Sequence, residues 1–184
     1  MQVIPLPIPD VLLLEPARFE DTRGFFSEVF SRHAFDAAGI TQDFVQDNHS
    51  LSRQVGVLRG LHFQVPPHAQ GKLVRVPRGR ILDVAVDLRR SSATFGQHVV
   101  AELSCANWRQ MWIPAGFAHG FVTLEPDTEV LYKVTEPYAP DYDRGLAWDD
   151  PALGIDWLLA PGEAVLSDKD RHNPRLAAMP IWFP

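Results

Sequence analysis

Short runs in which apolar and polar residues alternate recur along the chain. In the run 82–88, leucine and valine alternate with Asp83, Ala85 and Asp87, which is the two-residue period of a half-buried strand. The run 130–135 places Tyr132 on one strand face with its valine neighbours. Further strands are predicted at 11–14, 73–76, 99–103, 111–113 and 121–124.

Helical signals are few. Ser31 is a good N-cap for the residues 33–38, and Gly39 is suited to end that helix. A second short helical stretch is predicted at 151–154. Sixteen prolines and twelve glycines separate the many short segments. The pattern predicts an all-β sandwich or barrel with a few short helices, formed by one domain over residues 1–184.

Composition and charge narrow the possible partners. The net charge is −6 and no basic block is present, so nucleic acid is not an expected partner. Early prolines interrupt the apolar N-terminal residues, which argues against a signal peptide and against a membrane span. With Cys105 as the single cysteine, no intrachain disulfide is possible. A cytoplasmic location is therefore expected.

His62 is the leading candidate for chemistry because cations flank it. Arg59 precedes it by three residues, and Lys72 follows ten residues later at the start of an alternating run. The alternation predicts that Lys72 points from a strand into the space that His62 faces. Fixed cations favour a neutral imidazole, which can accept a proton, and they suit an anionic substrate or a developing oxyanion. An isolated histidine is more often a hydrogen-bonded structural residue, but these neighbours favour a chemical role.

Three further residue types complete a proton-transfer set. Asp170 can fix the tautomer of a histidine base, and Tyr132 can donate a proton from the other side of a substrate. Lys72 can hold the negative charge that forms on a carbonyl oxygen. Together they describe proton exchange beside a ketone. Spacing alone does not bring these segments together, and a surface strand tyrosine is an equally good reading of Tyr132.

Metal and thiol chemistry are not predicted. A metal site on such a barrel would use two histidines one residue apart together with a carboxylate. Neither His62 nor His119 has such a neighbour. Cys105 closes an apolar strand, where cysteines are usually packing residues.

Several residues suit a nucleotide. Arg23, Arg59 and Lys169 lie near turns, and arginine forks match the paired oxygens of a pyrophosphate. Phe26 and Tyr138 can stack on a planar base. Each charge alone is more often a solvated surface residue, and core packing is the commoner role of a phenylalanine such as Phe26.

The chain resembles the dTDP-4-dehydrorhamnose 3,5-epimerase family, whose members are cupin-type jelly rolls. The resemblance runs nearly end to end. It rests on the segments 21–28 (DTRGFFSE), 46–50 (QDNHS), 56–64 (GVLRGLHFQ), 70–74 (QGKLV), 112–121 (WIPAGFAHGF), 131–133 (LYK), 144–146 (RGL), 148–151 (WDDP) and 166–170 (LSDKD).

The resemblance implies a role for each matching residue. His62 would be the base with Asp170 as its partner, Tyr132 the acid, and Lys72 the residue that steadies the enolate. The positions that match nucleotide-sugar contacts of the family are Arg23, Glu28, Gln46, Asn48, Arg59, His119, Asp143 and Lys169.

The resemblance also implies a homodimer with exchanged N-terminal strands, so that Arg23 and Glu28 serve the partner's site, and no metal or organic cofactor. Two departures stand out. Asp143 replaces the usual glutamate, which puts its direct contact with the substrate in doubt, and Phe63 replaces a common tyrosine.

Three rival functions share parts of this pattern. Related proteins invert only C3 or only C5 of the dTDP-4-keto-6-deoxy sugar with the same residues. A 4-keto sugar isomerase fits less well because both His62 and Tyr132 are present. A non-catalytic cupin that binds nucleotide sugars would have lost one of these two residues.

Overall fold

The computed structural model describes residues 1–184 as an antiparallel β-sandwich. Its strands are β1 (Gln2–Pro5), β2 (Leu12–Glu15), β3 (Phe19–Asp21), β4 (Gly24–Phe26), β5 (Gln46–Ser52), β6 (Leu58–Gln64), β7 (Lys72–Arg78), β8 (Arg80–Asp87), β9 (His98–Ser104), β10 (Gln110–Ile113), β11 (Phe117–Thr123), β12 (Thr128–Val134) and β13 (Asp143–Gly145). The single α-helix is α1 (Arg32–Ala37), and three 3₁₀ turns span Pro140–Tyr142, Asp170–His172 and Leu176–Ala178. The all-β prediction is confirmed.

Two sheets face each other. One has the strand order β1-β2-β10-β7-β12-β5 and the other β13-β6-β11-β8-β9. Apolar side chains from both, such as Val74, Met111 and Phe121, form the core between them. Apolar side chains therefore fill part of the space between the sheets, and polar side chains line the rest.

The outer face of the five-stranded sheet is covered as well. Leu61 and Val84 on that face pack against Trp157 and Phe183 from the C-terminal segment. The half-buried interpretation of 82–88 is therefore wrong, since all residues from Ile81 to Asp87 are buried. The buried aspartates of β8 have protein partners in place of water. For example, Asp87 accepts hydrogen bonds from Arg89, Ser92 and Thr94.

The helix predictions had different outcomes. Ser31 Oγ accepts a hydrogen bond from the Ala34 N–H as the N-cap of α1, and Gly39 has a φ of +83° after its end, as predicted. The predicted helix at 151–154 is wrong. The Asp150 carboxylate accepts the Ala152 N–H at 3.0 Å and the Leu176 N–H at 2.8 Å. These bonds hold a single turn, which docks the C-terminal segment instead of continuing as a helix.

The N-terminal hairpin β3–β4 pairs with neither large sheet. Every residue of both strands is exposed, and Phe26 keeps 69% of its surface accessible. The core-packing alternative for Phe26 is therefore wrong. Among the helices of the structure, none has the length and apolar character needed to span a bilayer.

Candidate active site

A cavity of about 470 Å³ opens between the two sheets. It is lined by side chains from both sheets and from the C-terminal segment. The predicted residues that line it are Arg59, His62, Lys72, His119, Tyr132, Tyr138, Asp143 and Asp170. The four residues of the proton-transfer set thus share one cavity, although they are distant in the sequence.

His62 and Asp170 form a hydrogen-bonded pair at the cavity wall. The His62 Nε2–H donates to Asp170 Oδ1 at 2.5 Å, and the carboxylate is 4% exposed. Burial raises the pKa of Asp170, but hydrogen bonds and charge from His62 outweigh it and leave the pKa below its ordinary value. The carboxylate therefore stays ionised and fixes the tautomer in which Nδ1 is the free ring nitrogen.

The segment that carries Asp170 packs closely against the sheet. Gly145 pairs with His62 in the β13–β6 register. A Cβ at Gly145 would lie 2.0 Å from Asn173 Oδ1, so a larger residue there would displace the Asn173 side chain. Upstream, Val165 is anchored by two backbone hydrogen bonds to residues 56 and 58. These contacts bring the C-terminal segment over His62.

Lys72 crosses the cavity from the opposite sheet. Its Nζ donates to the His62 carbonyl oxygen at 3.2 Å, and the residue is 8% exposed. Burial lowers the pKa of Lys72 to about 8, against the opposing effect of the Asp143 and Asp83 charges. The ammonium is thus present at neutral pH and is easily lost above it.

Tyr132 belongs to the wall opposite His62. It lies on β12 of the six-stranded sheet, whereas His62 lies on β6 of the five-stranded sheet, and both line the cavity. Burial raises the pKa of Tyr132, and the Arg59 cation offsets only part of that effect. The phenol therefore keeps its proton, as a proton donor requires. The surface-strand alternative for Tyr132 is wrong.

A second imidazole–carboxylate pair, His119 with Asp83, was missed by the sequence reasoning. His119 Nε2 lies 2.7 Å from Asp83 Oδ1, and Asp83 is fully buried with no hydrogen-bond partner for Oδ2. Burial lowers the pKa of His119 and raises that of Asp83. The period-two pattern put Asp83 on a strand face, but it gave no sign that Asp83 would pair with His119, which lines the cavity.

Asp143 is the centre of a cluster at the cavity rim. Its Oδ2 accepts a hydrogen bond from the Tyr138 hydroxyl at 3.2 Å and forms an ion pair with Lys169. Lys169 comes from the C-terminal segment, whereas Tyr138 and Asp143 are only five residues apart. Asp143 thus holds two other candidate residues, a role for which its short side chain is sufficient.

The exposed strand β5 contributes a polar face to the site. Gln46 and Asn48 alternate with exposed residues, as does Ser50, which lines the cavity. Gln46 Nε2 donates to Asn48 Oδ1 at 2.8 Å. Nearby, Arg59 donates to Ser52 Oγ and to the Leu51 carbonyl at 3.4 Å each, which leaves the guanidinium loosely held beside the opening.

Six predicted residues are not among those that line this cavity. Gln46 and Asn48 lie on β5, and Lys169 is held by Asp143 at the rim, as described above. The other three, Arg23, Phe26 and Glu28, belong to the exposed N-terminal hairpin and the residues after it. The Arg23 guanidinium donates to its neighbour Asp21 instead. A role for these last three residues in the site of the same chain is not supported by their positions, and a role in a partner's site stays a prediction.

The cavity chemistry is that of proton transfer. The structure contains no group of three or more histidine, cysteine, aspartate or glutamate side chains arranged to hold a metal ion. His62 and Tyr132 stand on opposite walls, and Lys72 reaches from the sheet of Tyr132 to the His62 carbonyl oxygen. This arrangement can remove a proton from one face of a carbon next to a carbonyl and return one to the other face.

Comparison with known proteins identifies a family of sugar-nucleotide epimerases. The sequence model of the family described as dTDP-4-dehydrorhamnose 3,5-epimerase matches residues 5–178. A dTDP-4-dehydrorhamnose 3,5-epimerase from Pseudomonas aeruginosa is 55% identical over 178 residues, which is 96% of this chain and 97% of that protein.

Solved structures are similar over the same length. The structure of dTDP-6-deoxy-D-glucose-3,5-epimerase RmlC from Legionella pneumophila in complex with dTDP-4-keto-L-rhamnose gives a TM-score of 0.93 at 44% identity, covering 97% of this chain and 94% of that chain. ChmJ, a 3'-monoepimerase from Streptomyces bikiniensis in complex with dTDP-quinovose, gives a TM-score of 0.86 at 33% identity, covering 94% of this chain and 87% of that chain.

Proposed function

The chain belongs to the dTDP-4-dehydrorhamnose 3,5-epimerase family, and from this premise we propose that it inverts C3 and C5 of dTDP-4-dehydro-6-deoxy-D-glucose to give dTDP-4-dehydro-L-rhamnose. The observation that carries the proposal is the placement of His62 and Tyr132 on opposite walls of one cavity. A cofactor-independent isomerase needs a base and an acid in this relation, because inversion requires proton removal and proton return on opposite faces.

Proton removal begins at His62. The C4 ketone acidifies the protons on C3 and C5, and the free Nδ1 accepts one of them while Nε2–H stays bonded to Asp170. The electron pair of the broken C–H bond moves into the ring and onto the C4 oxygen, which forms an enolate. Lys72 faces this negative charge as an ammonium, a contact that strengthens as the charge develops.

Proton return completes the inversion. The Tyr132 hydroxyl gives its proton to the carbanionic carbon from the opposite face, and the electrons of the enolate restore the C4 ketone. The imidazolium and the phenolate then return to their starting states by proton exchange through water. The same sequence at the second carbon completes the double epimerisation.

We expect kcat/KM to fall above pH about 8, because that is where the pKa of Lys72 lies. Below that pH the ammonium is present, and above it the side chain becomes neutral and no longer stabilises the enolate. Above that pH, kcat/KM should fall by about tenfold for each further pH unit. A pH–rate profile between 6 and 10 measures it.

Lys72→Arg is the control for this prediction. The guanidinium keeps its charge throughout that range, so the variant should lose the alkaline fall even if its rate is lower overall. A profile of the unaltered enzyme that stays flat to pH 10 would contradict the role of Lys72.

Product analysis in deuterated water tests the proposed function. Inversion at both carbons puts solvent deuterium on C3 and C5 of the product, and NMR reads each position separately. Deuterium and inversion at C3 alone would instead favour the second candidate function, a C3 epimerase, which the similarity to the 3'-monoepimerase ChmJ supports. A protein that binds the nucleotide sugar without exchanging either proton would be the non-catalytic cupin.

We further propose a homodimer and a cytoplasmic location. A homodimer that exchanges N-terminal strands explains why the β3–β4 hairpin is exposed and why Arg23, Phe26 and Glu28 lie outside their own cavity. In such a dimer these residues would complete the partner's nucleotide site. A cytoplasmic location suits Cys105, which remains a free thiol.

A further inference from the structure

Residues 135–142 cross the cavity mouth between the two sheets. They connect the end of β12 in the six-stranded sheet to the start of β13 in the five-stranded sheet. Tyr138 lies in the middle of this connection, is 57% exposed and lines the cavity. An exposed ring on a loop can stack on a ligand without a large entropy cost only if the backbone that carries it is already ordered.

Two glutamine side chains hold that backbone. Gln64, which is 3% exposed, donates through Nε2 to the Pro137 carbonyl at 3.1 Å and accepts the Ala139 N–H on Oε1 at 2.8 Å. Gln46 accepts the intervening Tyr138 N–H at 3.0 Å. Gln64 belongs to one sheet and Gln46 to the other, so the connection is fixed from both sides of the mouth.

The Gln64 amide has no spare donor. Its second Nε2–H donates to the His68 carbonyl at 2.7 Å, so a single buried side chain joins the β6–β7 connection to the segment around Tyr138. No apolar or charged side chain of the same length can replace both the donors and the acceptor. Packing alone would not require these three hydrogen bonds, because an apolar residue would fill the same volume as Gln64.

We propose that Gln64 is a positioning residue for nucleotide binding, which acts by holding residues 137–139 so that the Tyr138 ring lies against the base of the bound dTDP. The inference rests on the proposed function. Without Gln64 the segment would have to be ordered when the ligand binds, and that entropy cost would weaken binding. The chemical step would be spared, since His62, Lys72 and Tyr132 have no hydrogen bond to Gln64.

The test compares Gln64→Met with the unaltered enzyme by calorimetric titration of dTDP and by steady-state kinetics. We expect the Kd for dTDP and the KM to rise by about tenfold, within the range measured for loss of one aromatic–base stack, while kcat changes less than about twofold. Gln97→Met makes the same substitution at a distant surface position and should change neither constant.

A double-mutant cycle separates positioning from a general structural role. In the Tyr138→Ala background Gln64→Met should have no further effect on the Kd, because the ring that it positions is gone. Effects that multiply, or an unchanged Kd in the single variant, would overturn the inference. Gln64→Glu, which keeps the acceptor and loses both donors, replaces Gln64→Met if that variant does not fold and should weaken dTDP binding at least as much.

The same experiment distinguishes the two proposals. If the unaltered enzyme neither binds dTDP nor exchanges the sugar protons, the proposed function fails. If it does both and Gln64→Met binds dTDP normally, only the role of Gln64 is refuted.

Discussion

His62→Ala should lower kcat by at least about a thousandfold and change the Kd for dTDP by less than about threefold. General-base catalysis contributes roughly 10²–10⁴-fold, and here a single imidazole would serve both carbons. The nucleotide contacts proposed above involve other residues, so binding should survive. Turnover of the 4-keto sugar and calorimetric titration of dTDP measure the two effects separately.

Loss of the imidazole also removes a hydrogen-bond donor from the buried Asp170 carboxylate and should destabilise the fold. His62→Gln removes this complication, because the amide Nε2 can reach the position of the imidazole Nε2 and donate to Asp170. This variant should be as inactive as His62→Ala with a melting temperature near that of the unaltered enzyme. His49→Ala, on the exposed face of β5, should remain fully active. Epimerisation at an undiminished rate in His62→Gln would remove His62 as the base.

The sequence predicted those parts of the fold that depend on local patterns. Ser31 and Gly39 delimit a helix through capping and a left-handed backbone, which are properties of neighbouring residues. Alternation likewise located most inner strands, and it correctly placed Lys72 and His62 in one space. Such signals need no knowledge of the distant chain.

Strand β5 shows why other elements were missed. Its sequence, QDNHSLS, has no apolar face, because its partly buried face carries Gln46, Asn48 and Ser50, of which Ser50 lines the cavity. Hydrophobic alternation reports burial against hydrocarbon. A strand such as β5, whose partly buried face is polar, therefore gives no periodic signal.

Strand β8 shows the reverse error. Its alternating pattern was correct, but both of its faces are covered, and Asp83 and Asp87 are buried with protein partners. Whether a polar strand residue meets water or a partner depends on segments far away in the sequence. His62 and Asp170 illustrate the same limit, since 108 residues separate the members of the pair.

Tyr132→Phe should lower the rate of inversion by about 10²-fold or more while proton removal continues. The substitution deletes one oxygen and keeps the ring that packs against the core, so the fold should be unaffected. His62 would still abstract the protons on C3 and C5, but no acid would stand on the other face. Protons should then return from the His62 side, so that deuterium enters from solvent with the configuration retained.

This outcome separates the two roles within one experiment. NMR of the substrate in deuterated water should show exchange at the proton-bearing carbons without product, whereas His62→Gln should show neither. The raised pKa of Tyr132 keeps the hydroxyl of the unaltered enzyme protonated between pH 6 and 8. The ratio of the inversion rates of the unaltered enzyme and Tyr132→Phe should therefore stay constant over that range. Tyr142→Phe, whose ring packs against His68, provides the matched control. Full inversion by Tyr132→Phe would mean that a group other than Tyr132 supplies the second proton.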